Sequence, residues 1–139
     1  MKLDVSVSQI MSRDLITLTI DNTLYEAEHL FKKHKFRHLP VVDGKKLVGV
    51  LSYSDLLKIS YVDVTEGEDL VESVMYDMFT IGQVMANVPV TVSTETSLKD
   101  VMQQLIEQTF HSLPVVHKNG DLAGIVTTTD LLRYFLNNA

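Results

Sequence analysis

The sequence predicts an α+β chain built from two copies of a strand, helix, strand, strand, helix unit. Three observations carry that prediction. Leu39-Pro40-Val41-Val42 recurs as Leu113-Pro114-Val115-Val116. At the same offset of 74, Gln83 falls on Gln9, Met85 on Met11, Thr91 on Thr17, Leu98 on Leu24 and Phe110 on Phe36. After one extra residue the offset becomes 75, and Gly124 falls on Gly49 and Asp130-Leu131-Leu132 on Asp55-Leu56-Leu57. A period of that length marks a duplicated supersecondary unit. Each half alone is marginal for an independent core, so the 139 residues are expected to form one module of two copies packed on each other.

Repeat 1 spans about 7–59. Val7-Ser8-Gln9-Ile10-Met11 reads as a short helical turn, and Ile16 to Ile20 alternates apolar and hydroxyl residues, the period of a half-buried strand. Thr23-Leu24-Tyr25-Glu26 is a capping-box pattern. Leu24, Ala27, Leu30, Phe31 and His34 follow at helical spacing, and the helix should end near Lys35. Leu39 to Val42 is a short apolar strand whose proline suits an edge or a strand start. Asp43-Gly44 signals a hairpin, Leu47 to Leu51 returns, and Ser54 or Asp55 is expected to cap a second helix.

Repeat 2, about 81–135, follows the same order. Val90-Thr91-Val92 is a strand, and Ser97 to Asp100 a capping box. Leu98, Val101, Met102, Leu105 and Ile106 are a helix stripe. Leu113 to Val116, Asn119-Gly120 and Leu122 to Val126 make a second hairpin, and Asp130 opens the closing helix. Between the copies, about 60–80, lies an acidic connector. No Lys or Arg occurs from Ile59 through Leu98. Leu70, Val71, Val74, Met75 and Met78 have the spacing of an amphipathic helix, either packed on its own domain or offered to another subunit.

Composition narrows the function. An apolar content of 45% is ordinary for a soluble domain. The chain has no cysteine, which excludes disulfides, thiolate catalysis and cysteine-ligated metals. No apolar run approaches a membrane span, and no secretory signal is visible at Met1-Lys2-Leu3. A net charge of −6 argues against non-specific nucleic-acid binding. The five histidines are scattered, and His34 and His38 flank an expected helix end, so no metal site is expected. There is no nucleophile–base pair and no phosphate-binding glycine loop, so no enzyme is expected.

The motif glycine, two apolar residues, hydroxyl, two residues, Asp stands twice, as Gly49-Val50-Leu51-Ser52-Tyr53-Ser54-Asp55 and Gly124-Ile125-Val126-Thr127-Thr128-Thr129-Asp130. Each copy follows a Leu-Pro-Val-Val strand. With these residues each repeat resembles a CBS domain (named for cystathionine β-synthase), and the pair resembles a stand-alone Bateman module. The resemblance implies a pseudo-two-fold pair of repeats with two clefts between them. It also implies adenosine-containing ligands (AMP, ADP, ATP or S-adenosylmethionine), a homodimer and a cytoplasmic regulatory role toward a protein target.

For single residues the resemblance implies that Ser52 and Asp55, and Thr127 and Asp130, hold phosphate and ribose. A carboxylate accepts two hydroxyl hydrogens, and a helix N-terminus favours a phosphate. The structural alternative is that each Asp caps its helix, and the two roles are compatible. Arg37 and His111, two residues before each Leu-Pro, are implied phosphate contacts. Lys58 and Arg133 are equally explained as i,i+3 partners of the Asp residues. Ile16 and Val90 are implied to lie near the adenine, with plain core as the alternative. Leu15 stands where the second copy has the commoner Pro89, and Ser52 where threonine is usual, so the first site departs further from the pattern. The competing reading is a dimerisation or docking module with empty clefts.

Overall fold

The structure is a computed structural model, and it describes residues 2–61, 76–87, 90–108 and 111–139. Both copies show the expected element order. The first has β1 (Leu18–Thr19), α1 (Leu24–His34), β2 (His38–Asp43), β3 (Lys46–Ser52) and α2 (Tyr53–Tyr61). After it come α3 (Ile81–Val84) and β4 (Ala86–Asn87). The second copy has β5 (Val92–Ser93), α4 (Leu98–Gln108), β6 (Ser112–Val116), β7 (Leu122–Thr127) and α5 (Thr128–Asn137). A 3-10 turn at Val7–Gln9 precedes them all. Of the connector helix expected over Leu70 to Met78, 70–75 lie outside the described residues, as does Pro89, while 76–78 are helical with Met78 63% exposed.

The chain divides into two compact units, and their bounds differ from those of the repeats. One unit is Ile16–Pro89; the other combines Met1–Leu15 with Val90–Ala139. The opening turn of each repeat therefore belongs to the unit built mainly from the other. In the first unit the sheet order is β1-β2-β3-β4, with β1 parallel to β2 and the remaining pairs antiparallel. Its core contains Leu18, Leu24, Phe31, Leu39, Leu51, Leu56 and, from beyond the repeat, Ile81. In the second unit the order is β5-β6-β7. Val7 and Met11, from the first repeat, are buried in its core with Leu98, Val101, Leu113 and Val126.

Local chemistry explains most of the boundaries. Thr23 and Glu26 form the expected capping box: the Thr23 hydroxyl accepts from the Glu26 N–H at 3.1 Å and Glu26 Oε1 accepts from the Thr23 N–H at 2.9 Å. Helix α1 stops at Lys35, whose φ of 57° ends the repeat of helical angles. Gly44 and Gly120 turn the two hairpins at φ 63° and 93°. Register slips between Val41 and Val42, and again between Val115 and Val116, so even the bulge is duplicated. The extra residue of the second copy is absorbed in its turn: Val42 pairs with Leu47, whereas Val116 pairs with Leu122.

Three expectations are corrected. The proline strands are interior, since β2 and β6 each have a strand on both sides. The prolines are tolerated because β1 runs only beside Val41 and Val42, and β5 only beside Val115 and Val116. Pro40 and Pro114 thus sit where their strand is locally an edge. The cap of α2 is Ser52, whose hydroxyl accepts from the Asp55 N–H at 3.0 Å, because the helix starts at Tyr53 rather than after Ser54. Ile106 does not join the buried stripe of α4; it is 76% exposed, while Leu98, Val101 and Leu105 are buried.

The glycines of the two repeated motifs are where the opening turns lie on the sheets. Ser12 and Ile125 exchange two backbone hydrogen bonds, at 2.8 and 3.0 Å, and Ala86 is the antiparallel partner of Val50. A Cβ on Gly124 would lie 2.7 Å from the Ser12 carbonyl oxygen and 2.8 Å from Met11 Sδ. On Gly49 it would overlap Met85 Sδ and lie 2.8 Å from the Ala86 carbonyl oxygen. Gly124→Ala is therefore expected to cost about 1–3 kcal/mol in urea denaturation. Gly82→Ala, where the nearest atom is 3.9 Å away, should be neutral or slightly stabilising in the same measurement.

The Thr23 backbone N–H, helped by the Asn22 side chain, holds the Glu26 carboxyl below the usual carboxylate range. The folded value is depressed, so the box stabilises above the unfolded value and that contribution fades as pH falls through the depressed one. Glu26→Gln should remove this part of the pH dependence, measured as thermal midpoint against pH across the carboxylate range.

Candidate functional site

Each repeated motif ends a strand and opens a helix, and the fold gathers three of the four expected residues around that junction. In the first unit, Ser52 is the last residue of β3 and pairs across the ladder with His38. The Arg37 carbonyl accepts from the Tyr53 N–H at 2.8 Å, which fixes Arg37 beside the start of α2. In the second unit, Ser112 pairs with Thr127, and the His111 carbonyl accepts from the Thr128 N–H at 2.9 Å and the Thr128 hydroxyl at 3.1 Å. Both basic residues are exposed at the end of the helix that carries the Asp. Ile16 precedes β1 and packs partly buried against the core of its unit, whereas Val90 is exposed.

The two carboxylates differ sharply in surroundings. Asp130 closes a full capping box. The Thr127 hydroxyl accepts from the Asp130 N–H at 3.0 Å, and Asp130 Oδ2 accepts from the Thr127 N–H at 2.9 Å. Its other oxygen, Oδ1, receives a long hydrogen bond from the Ser12 hydroxyl at 3.5 Å and lies 3.6 Å from Arg133. The Asp130 side chain is only 7% exposed. Asp55 uses its N–H on the Ser52 hydroxyl, but among the described residues its carboxylate meets only Lys58, at 3.5 Å, and stays 37% exposed. The cap is thus complete in the second copy and half made in the first. Lys58 and Arg133 both take the i,i+3 ion-pair role.

A pocket of about 360 Å³ lies beside Asp55, wholly within the first unit. Asp55 and Gln83 supply polar groups, while Ile59, Phe79, Val84 and Met85 give an apolar wall completed by Ala86. The Gln83 carbonyl already accepts from the Thr80 N–H at 2.8 Å, so its amide N–H groups remain available. Sequence reasoning missed this lining and the role of Ser12. The signal was the pairing of Gln9 and Met11 with Gln83 and Met85, which marks the opening turns as duplicated parts of the unit. His34 stacks on Phe36, and no group of metal-ligating side chains occurs among the described residues. None of the described helices is long and apolar enough to cross a membrane.

The difference in capping has a measurable consequence. Thr127→Ala should cost about 1–2 kcal/mol, because it removes the acceptor of a complete box. Ser52→Ala should cost less, about 0.5–1 kcal/mol, for a single capping bond. Urea denaturation of the two variants in parallel checks the order.

The CBS domain pattern matches residues 7–61 and 81–137. Among solved structures, the chain is similar to the Arabidopsis thaliana protein CBSX2 in complex with AMP. Identity is 28%, the TM-score is 0.80, and the match covers 96% of this chain and 97% of that one. It is also similar to the CBS domain pair of protein MJ0100 in complex with 5′-methylthioadenosine and S-adenosyl-L-methionine. There identity is 26%, the TM-score 0.71, and coverage 94% of this chain and 99% of the other. Among curated relatives, the inosine-5′-monophosphate dehydrogenase of Korarchaeum cryptofilum is 29% identical over 119 residues, 86% of this chain. The chain spans 22% of that enzyme's length, and 44% of the uncharacterized protein MJ0188 of Methanocaldococcus jannaschii. With both of its repeats matched, the chain belongs to the CBS domain family, as a tandem pair.

Proposed function

We propose that this chain is a regulatory, ligand-sensing module that binds an adenosine-containing compound and transmits occupancy as a change in dimer or partner geometry. The observation that carries the reading is the doubled junction: a hydroxyl at a strand end, an Asp three residues on in the helix, and a basic residue tied by its carbonyl to the helix start. Relatives solved with AMP, and with 5′-methylthioadenosine and S-adenosyl-L-methionine, support adenosine as the shared chemistry.

The candidate ligand positions are Ile16, Arg37, Ser52 and Asp55 in the first copy, and Val90, His111, Thr127 and Asp130 in the second. The Asp carboxylate takes ribose hydroxyls, and the helix N-terminus with the neighbouring hydroxyl favours phosphate. Arg37 offers a permanently charged fork, whereas His111 would make affinity pH-dependent near neutrality. No catalytic step is assigned to these groups. The module works as a cytoplasmic homodimer acting on a protein target, and sensing requires that the ligand bind two states with different affinity.

Isothermal titration of ligand-free protein against AMP, ADP, ATP and S-adenosylmethionine tests the reading. Saturable binding of one of them, with a ligand-dependent change in small-angle scattering, is the expected result. No heat with any of the four would transfer the assignment to a docking module with empty clefts.

A further inference from the structure

We propose that the two motifs divide their work: Asp55 takes the ribose diol of the ligand, while Asp130 is closed by the fold and held closed by Ser12. The module then binds one adenosine compound per chain, at the first copy. This inference rests on the nucleotide reading above and names which half of the duplicated site performs it.

The argument starts from what each carboxylate oxygen already does. At Asp130, Oδ2 accepts from the Thr127 N–H at 2.9 Å, and Oδ1 faces both the Ser12 hydroxyl at 3.5 Å and Arg133 at 3.6 Å. A ribose diol would have to displace these donors from a side chain that is 7% exposed. Among the described residues the partner of the Asp55 carboxylate is Lys58, at 3.5 Å and itself 78% exposed, a surface pair of small strength. Both Asp55 oxygens can therefore turn to a diol at little cost.

Part of this contrast traces to a single side chain, beside the difference in capping. Ser12 and Ala86 hold equivalent places: Ser12 bridges Ile125, Ala86 pairs with Val50, and both lie on the motif glycine. Serine brings a hydroxyl onto Asp130. Alanine brings none to Asp55, and Ala86 instead helps line the pocket of about 360 Å³ beside that carboxylate. The size lies within the usual range for small-molecule sites, and its lining sets apolar side chains beside the polar groups of Asp55 and Gln83. The diol fits the Asp55 end, and a flat base fits the wall of Ile59, Phe79 and Met85 with the Gln83 amide as donor. The copy that departs further from the family pattern is thus the one whose carboxylate is left open.

The test is titration calorimetry with AMP and S-adenosylmethionine on ligand-free wild type, Asp55→Asn, Ser12→Ala and Ser12→Thr. Wild type should bind one equivalent per chain. Asp55→Asn keeps the side-chain size and should weaken binding by roughly tenfold or more, because charge-assisted hydrogen bonds are lost. Ser12→Ala should raise the stoichiometry toward two, and Ser12→Thr, which keeps the hydroxyl, should stay at one. Two equivalents in wild type, or one equivalent indifferent to Asp55→Asn, would overturn the division of work while leaving the nucleotide reading intact. A single equivalent in Ser12→Ala would overturn the part given to Ser12. Absence of binding in wild type would overturn both readings together.

Discussion

The fold depends on two glycines that have no room for a side chain. At Gly49 and Gly124 the opening turn of one repeat lies on the returning strand of the other, so close that a single methyl group would strike backbone oxygen and methionine sulfur. That approach lets Ser12 and Ala86 add ladder hydrogen bonds to strands that would otherwise be open edges. It also delivers Val7, Met11 and Ile81 into cores that their own repeats do not contain. Burying each of these apolar side chains is worth roughly 1.5–3 kcal/mol, so the exchange is a substantial part of what holds each unit together. Glycine is required here for space, with no positive φ involved.

The same contact reaches the functional junction. The residue that follows each methionine stands next to the strand end where the hydroxyl and the Asp are placed. A hydroxyl there adds a further partner to the second carboxylate, while a methyl group leaves the first one open to solvent. Packing and the surroundings of each carboxylate are therefore set by neighbouring positions of one short segment. Fold duplication gave two junctions with the same geometry; side-chain differences at their margins gave them different surroundings.

Much of this was legible in the sequence, for definite reasons. Thr23 and Glu26, Asp43 and Gly44, and Asn119 and Gly120 act through bonds within four residues, so their patterns translate directly into a cap and two turns. Duplication doubled the weight of every such signal. What the sequence hid was long-range. Whether Pro40 sits at an edge depends on how far β1 extends, and β1 is only two residues long. Ile106 occupies a stripe position by spacing, yet it stays exposed. The eight candidate ligand residues were identified by resemblance, and the structure joins six of them at the two junctions. The difference between Asp55 and Asp130 could not be read wholly from local pattern, since Ser12, which adds a partner to Asp130, lies more than a hundred residues away in sequence.

The crossed opening turns carry a consequence for how such a chain can exist at all. A polypeptide holding one copy of the unit would end with a bare strand edge and a gap in its core. It could fill both only by lending its first residues to a second molecule and borrowing that molecule's in return. Fusing two copies turns this trade between molecules into one within a single chain, where the effective concentration of the missing piece no longer depends on how much protein is present. Integrity then becomes independent of dilution, and association between chains is left free to report something other than folding.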